Sequence, residues 1–344
     1  MIDHERFMRR CLQLAELGAG SVAPNPMVGS VLVYKETIVG EGYHRVYGEA
    51  HAEVNCVRDF EERFALGHWK GFGFADAAAL VEQSTLYVSL EPCAHFGKTP
   101  PCADMIVHRR IPRVVVGVRD PFKEVDGKGI DKLLRAGVEV LTGVLEAECK
   151  ELNRRFFTFH TQHRPYIILK WTQSADGRIG METGRVAISN DLSNLLVHRW
   201  RSEEAAILVG RRTALIDDPA LTNRHWPGKS PLRLVLDPSL SLPAHLRLFD
   251  GSVPTVVFNT TVLPEMLTDL YKRHVQSILV EGGARLLQSF LDLGIWDEIR
   301  VIRSRSVHLP GGISAPILPE VVLEGSFDLE DDQVSVYRNP DRGL

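Results

Sequence analysis

The chain lacks a long hydrophobic run: nowhere in its 344 residues do apolar side chains continue for the roughly 18–20 positions of a membrane-spanning helix. Its opening, MIDHERFMRRCLQLAELG, has the spacing of an amphipathic helix and no apolar signal core, so the expected location is the cytoplasm. An excess of one charge is also missing. Forty basic residues against forty-four acidic ones leave a net charge of −4, which argues against nucleic acid or an anionic membrane as partner and leaves room only for a local basic pocket. Cysteine is scarce, and its count of five is odd, which speaks against a disulfide framework and for metal ligation or burial. Cys11, Cys56 and Cys149 read as buried apolar thiols. Internal repeats and low-complexity segments are absent too. The remaining composition, 44% hydrophobic and 24% charged, is that of a globular protein, long enough for two cores and suited to a small-molecule ligand. It leaves a homo-oligomer open.

Up to about residue 145, apolar runs such as GSVLVY, STLYVSL and RVVVGV alternate with helical patterns such as FMRRCLQLAELG and GIDKLLRAG, the rhythm of a sheet covered by helices. One charged helix then leads to His163, Arg164 and Pro165, a helix-ending signal. A second α/β series follows with YIILKW, AAILVG, LRLVLD, TVVFN and SILVEGG. The expected organisation is a domain over residues 1–147, a linking helix over 148–165 and a second domain over 166–344.

Two short stretches carry chemistry in the first half. HAEVNCV places His51 two residues before Glu53, and EPCAHFGKTPPCADMI supplies Cys93 and Cys102. Two residues apart on a continuous helix, His51 and Glu53 would diverge by roughly 200°, so they share a site only beyond a helix tip. Cys102 follows two prolines and opens a helical pattern, while Cys93 follows Pro92 at a strand end. Helix N-termini favour thiolates, and one imidazole with two thiolates leaves the fourth tetrahedral position of Zn²⁺ free for chemistry. A nearby carboxylate that is not a ligand can then take and return a proton. Taken singly, each residue is more often a satisfied core histidine, a buried cysteine or a surface glutamate; in this order they match the zinc nucleobase-deaminase pattern. His95 keeps open a fourth ligand and therefore a structural zinc.

The segments APNPMVGSVLV, GEGYHRVYGEAHAEVN, LEPCAHFGKTPPC and GVRDPFKEVDGKGIDKLLRAGVEVLTGVLE resemble the bifunctional riboflavin-biosynthesis deaminase/reductase family. The eight residues AHFGKTPP between the cysteines, in place of the two usual in polynucleotide and nucleoside deaminases, are the discriminating feature. The resemblance implies a cytidine-deaminase-like three-layer α/β domain in which His51, Cys93 and Cys102 bind zinc and Glu53 moves the proton. By the same resemblance, Asn25, His44, His95 and Lys98 hold the pyrimidinone and its ribose phosphate. The stretch over residues 58–83 is longer than the family pattern leads one to expect.

In the second half, LKWTQSADGRIG ends a strand in a turn, and ILVEGGARLLQSFLDLG runs strand, glycine pair, helix. Glycines at such a junction let a phosphate approach the helix tip, but the three-glycine dinucleotide fingerprint is absent and the junction is common in α/β folds. Together with HRWRSEEAAILVGRRTALIDDPALTNR, these segments resemble the reductase half of the same family, which implies a dihydrofolate-reductase-like domain using NADPH. Carried over by motif, Thr172, Thr213, Asp217, Gly283, Ala284, Arg285, Leu286, Leu287, Gln288 and Ser289 line the cofactor. Lys170, Arg201, Leu221, Arg224 and Glu281 face the substrate, a phosphorylated pyrimidine. Arginine suits that phosphate because its guanidinium binds it bidentately, although an arginine is also commonly a surface ion-pair partner. The loop over residues 181–190 is short and lacks the family's tryptophan, and Ala175 replaces a larger apolar residue. Two rivals stay open at this point: a zinc deaminase of another base, such as a tRNA-editing enzyme, and a binding protein with a structural zinc and a nucleotide-sensing domain.

Overall fold

The computed structural model describes residues 3–97 and 100–343 and divides into two compact units, Met1–Thr161 and Gln162–Leu344. Lys98 lies outside the described residues. In the first unit five strands form one sheet: β1 (Gly29–Tyr34), β2 (Thr37–Tyr43), β3 (Thr85–Leu90), β4 (Arg113–Val118) and β5 (Glu139–Thr142), in the order β2-β1-β3-β4-β5. β1 runs antiparallel to β2 and β3, and β3, β4 and β5 are mutually parallel. The continuous apolar runs follow from burial on both faces. Leu32, Leu86, Val114 and Val116 point into one core with Cys56, Phe60 and Ile106. The intervening Val31, Val33, Tyr87 and Val115 point into the other with Phe7, Met8 and Cys11. Helices Ala52–Ala65, Cys102–His108 and Lys128–Arg135 cover the first face, and His4–Glu16 the second. The result is three layers.

The helix expected over residues 148–165 is two helices, Glu146–Leu152 and Arg154–Gln162. Asn153 breaks them because its buried side chain pairs with the backbone of Met27, accepting from the N–H and donating to the C=O at 2.8 Å each. Cys149, Phe156 and Phe157 belong to the second core of the first unit, and His163, with a φ of 55°, ends the run just before Pro165. Cys11, Cys56 and Cys149 are all fully buried, as expected.

Gly42 sets the seat of helix Ala52–Ala65. A Cβ there would lie 2.2 Å from the Cys56 nitrogen and 2.6 Å from the Ala52 oxygen, so the helix backbone rests directly on β2. The long 58–83 segment departs from the other end of this helix. Its Trp69 stacks on Phe72 at 5.9 Å, and Phe72 and Phe74 stand edge-on to Tyr34 at 5.1 and 5.2 Å. Fourteen helical residues, about 21 Å, separate that end from His51. The segment therefore caps the β1–β2 hairpin, not the rim of the candidate site.

The second unit contributes β6 (Tyr166–Gln173), β7 (Arg178–Gly180), β8 (Ala206–Gly210), β9 (Leu232–Leu236), β10 (Thr255–Phe258), β11 (Ser277–Val280), β12 (Glu298–Ser304), β13 (Ile313–Ser314), β14 (Val322–Leu329) and β15 (Asp332–Arg338). Eight of them form a sheet in the order β10-β9-β8-β11-β6-β12-β15-β14, parallel from β10 to β12 and antiparallel at the β15–β14 edge; β7 and β13 pair separately. Among the described residues, no helix is long and apolar enough to cross a membrane.

Two outcomes are expected. Gly42→Ala should cost about 1–3 kcal/mol, the range for overpacking, because strand and helix backbones must separate; chemical denaturation of the first unit measures it, and an unchanged midpoint would refute the seat described. A fragment from about residue 160 onward should fold alone, showing one cooperative thermal transition and the near-native circular dichroism of a mixed α/β sheet.

Candidate active sites

The first site forms where two helix N-termini meet the carboxyl end of β3. His51 is the N-cap residue of helix Ala52–Ala65, and Cys102 is the first residue of helix Cys102–His108, after Pro101. Cys93 follows β3 by three residues. The Sγ atoms of Cys93 and Cys102 lie 3.5 and 3.4 Å from His51 Nδ1, and the three ligand atoms fall within 4.8 Å of one another. An ion with bonds of about 2.3 Å to sulfur and about 2.0 Å to nitrogen at tetrahedral angles requires N···S separations of about 3.5 Å, so the donor set fits zinc in both identity and spacing. The Cys102 N–H also donates to Cys93 Sγ at 3.3 Å. Hydrogen bonding from Cys102 holds the Cys93 thiol well below the ordinary thiol range, while the bond to Cys93 and burial push Cys102 up. A second thiolate there is stabilised only by a cation.

Glu53 stands in the first turn of its helix at 3% exposure. Burial raises its pKa, against the opposing pull of the His51 charge. The expected divergence of His51 and Glu53 is avoided because His51, with a ψ of 169°, precedes the helix. His44 is buried beside His51, ring centroids 5.3 Å apart. Its Nδ1–H donates to the Ala50 carbonyl at 3.1 Å, which leaves Nε2 to accept from Asn25 Nδ2 at 3.2 Å. Burial lowers the His44 pKa, consistent with that neutral form. His95 lies on the loop after Cys93, its ring edge-on to Phe122 at 6.1 Å and its Nδ1 buried with no hydrogen-bond partner among the described residues. Of the four residues expected at the pyrimidine, Asn25 and His44 are thus together beside His51, and His95 lies beyond Cys93.

The composition of the motif concealed one residue. Glu91, the first position after β3, is buried, and its carboxylate accepts from four backbone N–H groups, those of Asp120, Gly127, Gly129 and Ile130, at 2.9–3.2 Å. Beside it, burial pushes the Asp120 carboxyl up to about 7. A glutamate ending the apolar run STLYVSLE was the available signal.

In the second unit the candidate residues also gather at carboxyl ends of parallel strands. Glu281 follows β11, and Lys170 lies on β6 at 9% exposure. Arg201, from the last turn of helix Asp191–Glu203, meets Glu281 bidentately at 3.0 and 2.7 Å. Burial would raise the Glu281 pKa, but Arg201 and Lys170 outweigh it and hold the carboxyl down to about 2. Burial lowers the Lys170 pKa, against the pull of Glu281. Arg224 donates from Nη1 to Thr222 Oγ1 at 2.8 Å, its own N–H donates to His198 Nδ1 at 3.0 Å, and Leu221 is buried with a φ of 50°.

Gly282 and Gly283 link β11 to helix Ala284–Asp292. A Cβ on Gly282 would stand 2.5 Å from the Val209 Cα, and Gly283 has a φ of 56° with Thr213 Oγ1 3.0 Å from the position of its missing Cβ, so both positions require glycine. Thr213 and Asp217 stand on helix Arg211–Asp217, and Thr172 near the end of β6. Within the Gly283–Ser289 segment, Ala284, Arg285 and Leu286 form the helix's first turn, whereas Leu287 lies in the core. Gln288 is engaged with Asp292 and the Ile317 N–H, and the Ser289 hydroxyl donates to the Arg285 carbonyl. In the shortened loop, Glu182 pairs with Arg212, and the exposed Arg185 acts on the charges of both Asp217 and Arg224.

Comparison with known proteins bears on both halves. Residues 1–118 match the cytidine and deoxycytidylate deaminase zinc-binding region, and residues 165–304 match the RibD C-terminal domain. The riboflavin biosynthesis protein RibD of Aquifex aeolicus is 40% identical, the match covering 86% of this chain and 85% of that one. The protein of the same name from Bacillus amyloliquefaciens is 37% identical over 95% of this chain and 90% of its own. The crystal structure of a diaminohydroxyphosphoribosylaminopyrimidine deaminase/5-amino-6-(5-phosphoribosylamino)uracil reductase from Thermotoga maritima superposes with a TM-score of 0.85 at 32% identity, covering 98% of both chains. With a zinc-type donor triad in one unit, a buried Lys-Arg-Glu cluster in the other and this similarity running through both, the chain belongs to the RibD family of riboflavin biosynthesis proteins.

Proposed function

We propose that the two units carry out two consecutive steps on one phosphorylated pyrimidine: hydrolytic removal of a ring amine in the first, and reduction of the ribosyl group to a ribityl chain in the second. The observation that carries this reading is the convergence of His51, Cys93 and Cys102 within 4.8 Å, with Glu53 buried against Cys102. Zinc, when bound, supplies Lewis acidity. His51 Nδ1 and the two sulfurs hold it, and Glu53 takes a proton from water and delivers it to the departing amine, so that ammonia leaves and a ring carbonyl replaces the C–N bond. Asn25 and His44, locked to each other and to Ala50, present fixed polar groups beside His51 for the pyrimidinone. His95 and Lys98 are assigned to the same substrate.

In the second unit NADPH supplies the hydride. Thr172, Thr213, Asp217 and the Gly283–Ser289 segment are assigned to the cofactor, with the helix tip at Gly283 suited to a phosphate. Lys170 and Arg201 carry two positive charges against the single negative charge of Glu281, and Arg224 adds a third. That surplus, with Lys170 and Arg201 largely buried and Arg224 exposed, suits a ribose phosphate and disfavours an uncharged sugar. Leu221 completes the substrate wall. Thiolate ligands and free cysteines fit a reducing compartment, the cytoplasm.

Metal content tests the triad: the protein should hold about one zinc per chain, and Cys93→Ser or Cys102→Ser should bring elemental analysis close to zero. Full retention in both variants would remove these ligands from consideration. Separability tests the two assignments. Glu53→Gln should keep its zinc, lose deamination by about 10²–10⁴-fold, and still oxidise NADPH with the deaminated substrate at nearly the normal rate. Lys170→Ala or Glu281→Ala should release ammonia normally and leave NADPH unconsumed. Wild-type deamination by Glu53→Gln would exclude it as the proton carrier.

A further inference from the structure

Arg224 stands on a stretch, residues 218–231, with neither helix nor strand. Asn223 folds part of it on itself, its Nδ2 donating to the carbonyls of Trp226 at 2.8 Å and Gly228 at 3.3 Å and its N–H to Ser230 Oγ at 3.0 Å. A loop of this kind holds an arginine at a fixed point only if something rigid grips its backbone. Helix Asp191–Glu203 supplies two grips, one turn apart on one face: Arg201 Nη1 donates to the Thr222 carbonyl at 3.3 Å, and His198 Nδ1 accepts the Arg224 N–H at 3.0 Å.

We propose that His198 is a positioning residue of the reductase site, whose Nδ1 fixes the backbone of Arg224 so that its guanidinium is held ready for the substrate's phosphate. The inference rests on the reading of Arg224 as a phosphate ligand and adds to it the reason the ligand is preorganised. His198 is 5% exposed, and its ring meets that of His225 edge-on at 4.6 Å, so its orientation is fixed by packing. Accepting at Nδ1 requires the neutral ring with its proton on Nε2; an imidazolium would point a donor at the Arg224 N–H. The surroundings maintain that form. Burial, then the charges of Arg201, Arg224 and His225, bring His198 down to about 4, outweighing the opposite pull of Glu281. A histidine at its ordinary value near 6.5 would release the loop in mildly acidic solution, whereas this one keeps its grip. His198 bonds to Arg224 and packs on His225, neither of which is among the residues assigned to the cofactor, so its effect belongs in substrate binding.

The test uses the full-length protein supplied with the deaminated ribosyl phosphate. His198→Phe keeps a ring against His225 and lacks the acceptor; His198→Asn keeps an acceptor, Oδ1, close to the place of Nδ1. The phenylalanine variant should raise KM for the phosphorylated substrate about tenfold, with kcat and KM for NADPH within about twofold of normal, the pattern of a lost binding contact. The asparagine variant should restore most of it. Weaker competitive inhibition by inorganic phosphate, by the same factor, should accompany the rise in KM. Arg224→Ala should match or exceed the loss, and His198→Phe in that background should add nothing. If Arg224→Ala changes no substrate KM, the reading of Arg224 as a phosphate ligand is wrong. If Arg224→Ala raises KM while His198→Phe does not, if asparagine fails to rescue, or if the NADPH KM moves in parallel, the positioning role is overturned. Should His198→Phe lose NADPH binding through misfolding, His198→Ala takes its place with the same expected and overturning results.

Discussion

A buried carboxylate one residue beyond a parallel strand organises the deaminase unit. Glu91 is almost without solvent, and a bare negative charge there would be prohibitive. Four backbone N–H groups from the loop and helix that follow β4 offset that cost. The same bonds bind residues 120–130 to the strand end from which Pro92 and Cys93 emerge. Cys93 therefore leaves a fixed point, and the two helix tips bearing His51 and Cys102 have something rigid to meet. Glu281 occupies the equivalent place in the reductase unit, one residue beyond β11, and is satisfied by side-chain cations in place of amides.

That difference separates the electrostatics of the two sites. The first concentrates acidic groups, two thiols and a glutamate, around one imidazole, and so calls for a cation. The second gathers more positive than negative charge and calls for an anion. A chain whose net charge is only −4 divides its charge locally, and this is why composition argued against broad nucleic-acid binding without revealing either site.

Much of this was legible in the sequence. Runs such as STLYVSL and RVVVGV read as strands because both sheet faces are covered, and the order His51, Glu53, Cys93, Cys102 pointed to the candidate metal site because helix tips tolerate ligands at spacings a helix body does not. What escaped was tertiary. Asn153 breaks a helix by bonding to Met27, 126 residues away, and no local pattern announces that. Glu91 reads as part of a motif, yet its partners lie 29–39 residues onward. His198 sits in a helical pattern beside Arg201, and only the folded loop discloses what it holds. The unusual length of residues 58–83 was visible, but its distance from the zinc site depended on which end of helix Ala52–Ala65 bore His51.

The aromatic cap that this segment forms has an optical consequence. Of the five tryptophans in the chain, Trp69 alone belongs to the deaminase unit; the other four, Trp171, Trp200, Trp226 and Trp296, fall in the reductase unit. Its indole lies flat against Phe72, at the opposite end of the helix from His51. Fluorescence from that one ring, isolated by replacing the other four and read without NADPH, whose absorption overlaps tryptophan emission, would follow the melting of the deaminase unit alone, a reporter on one half of a bifunctional chain.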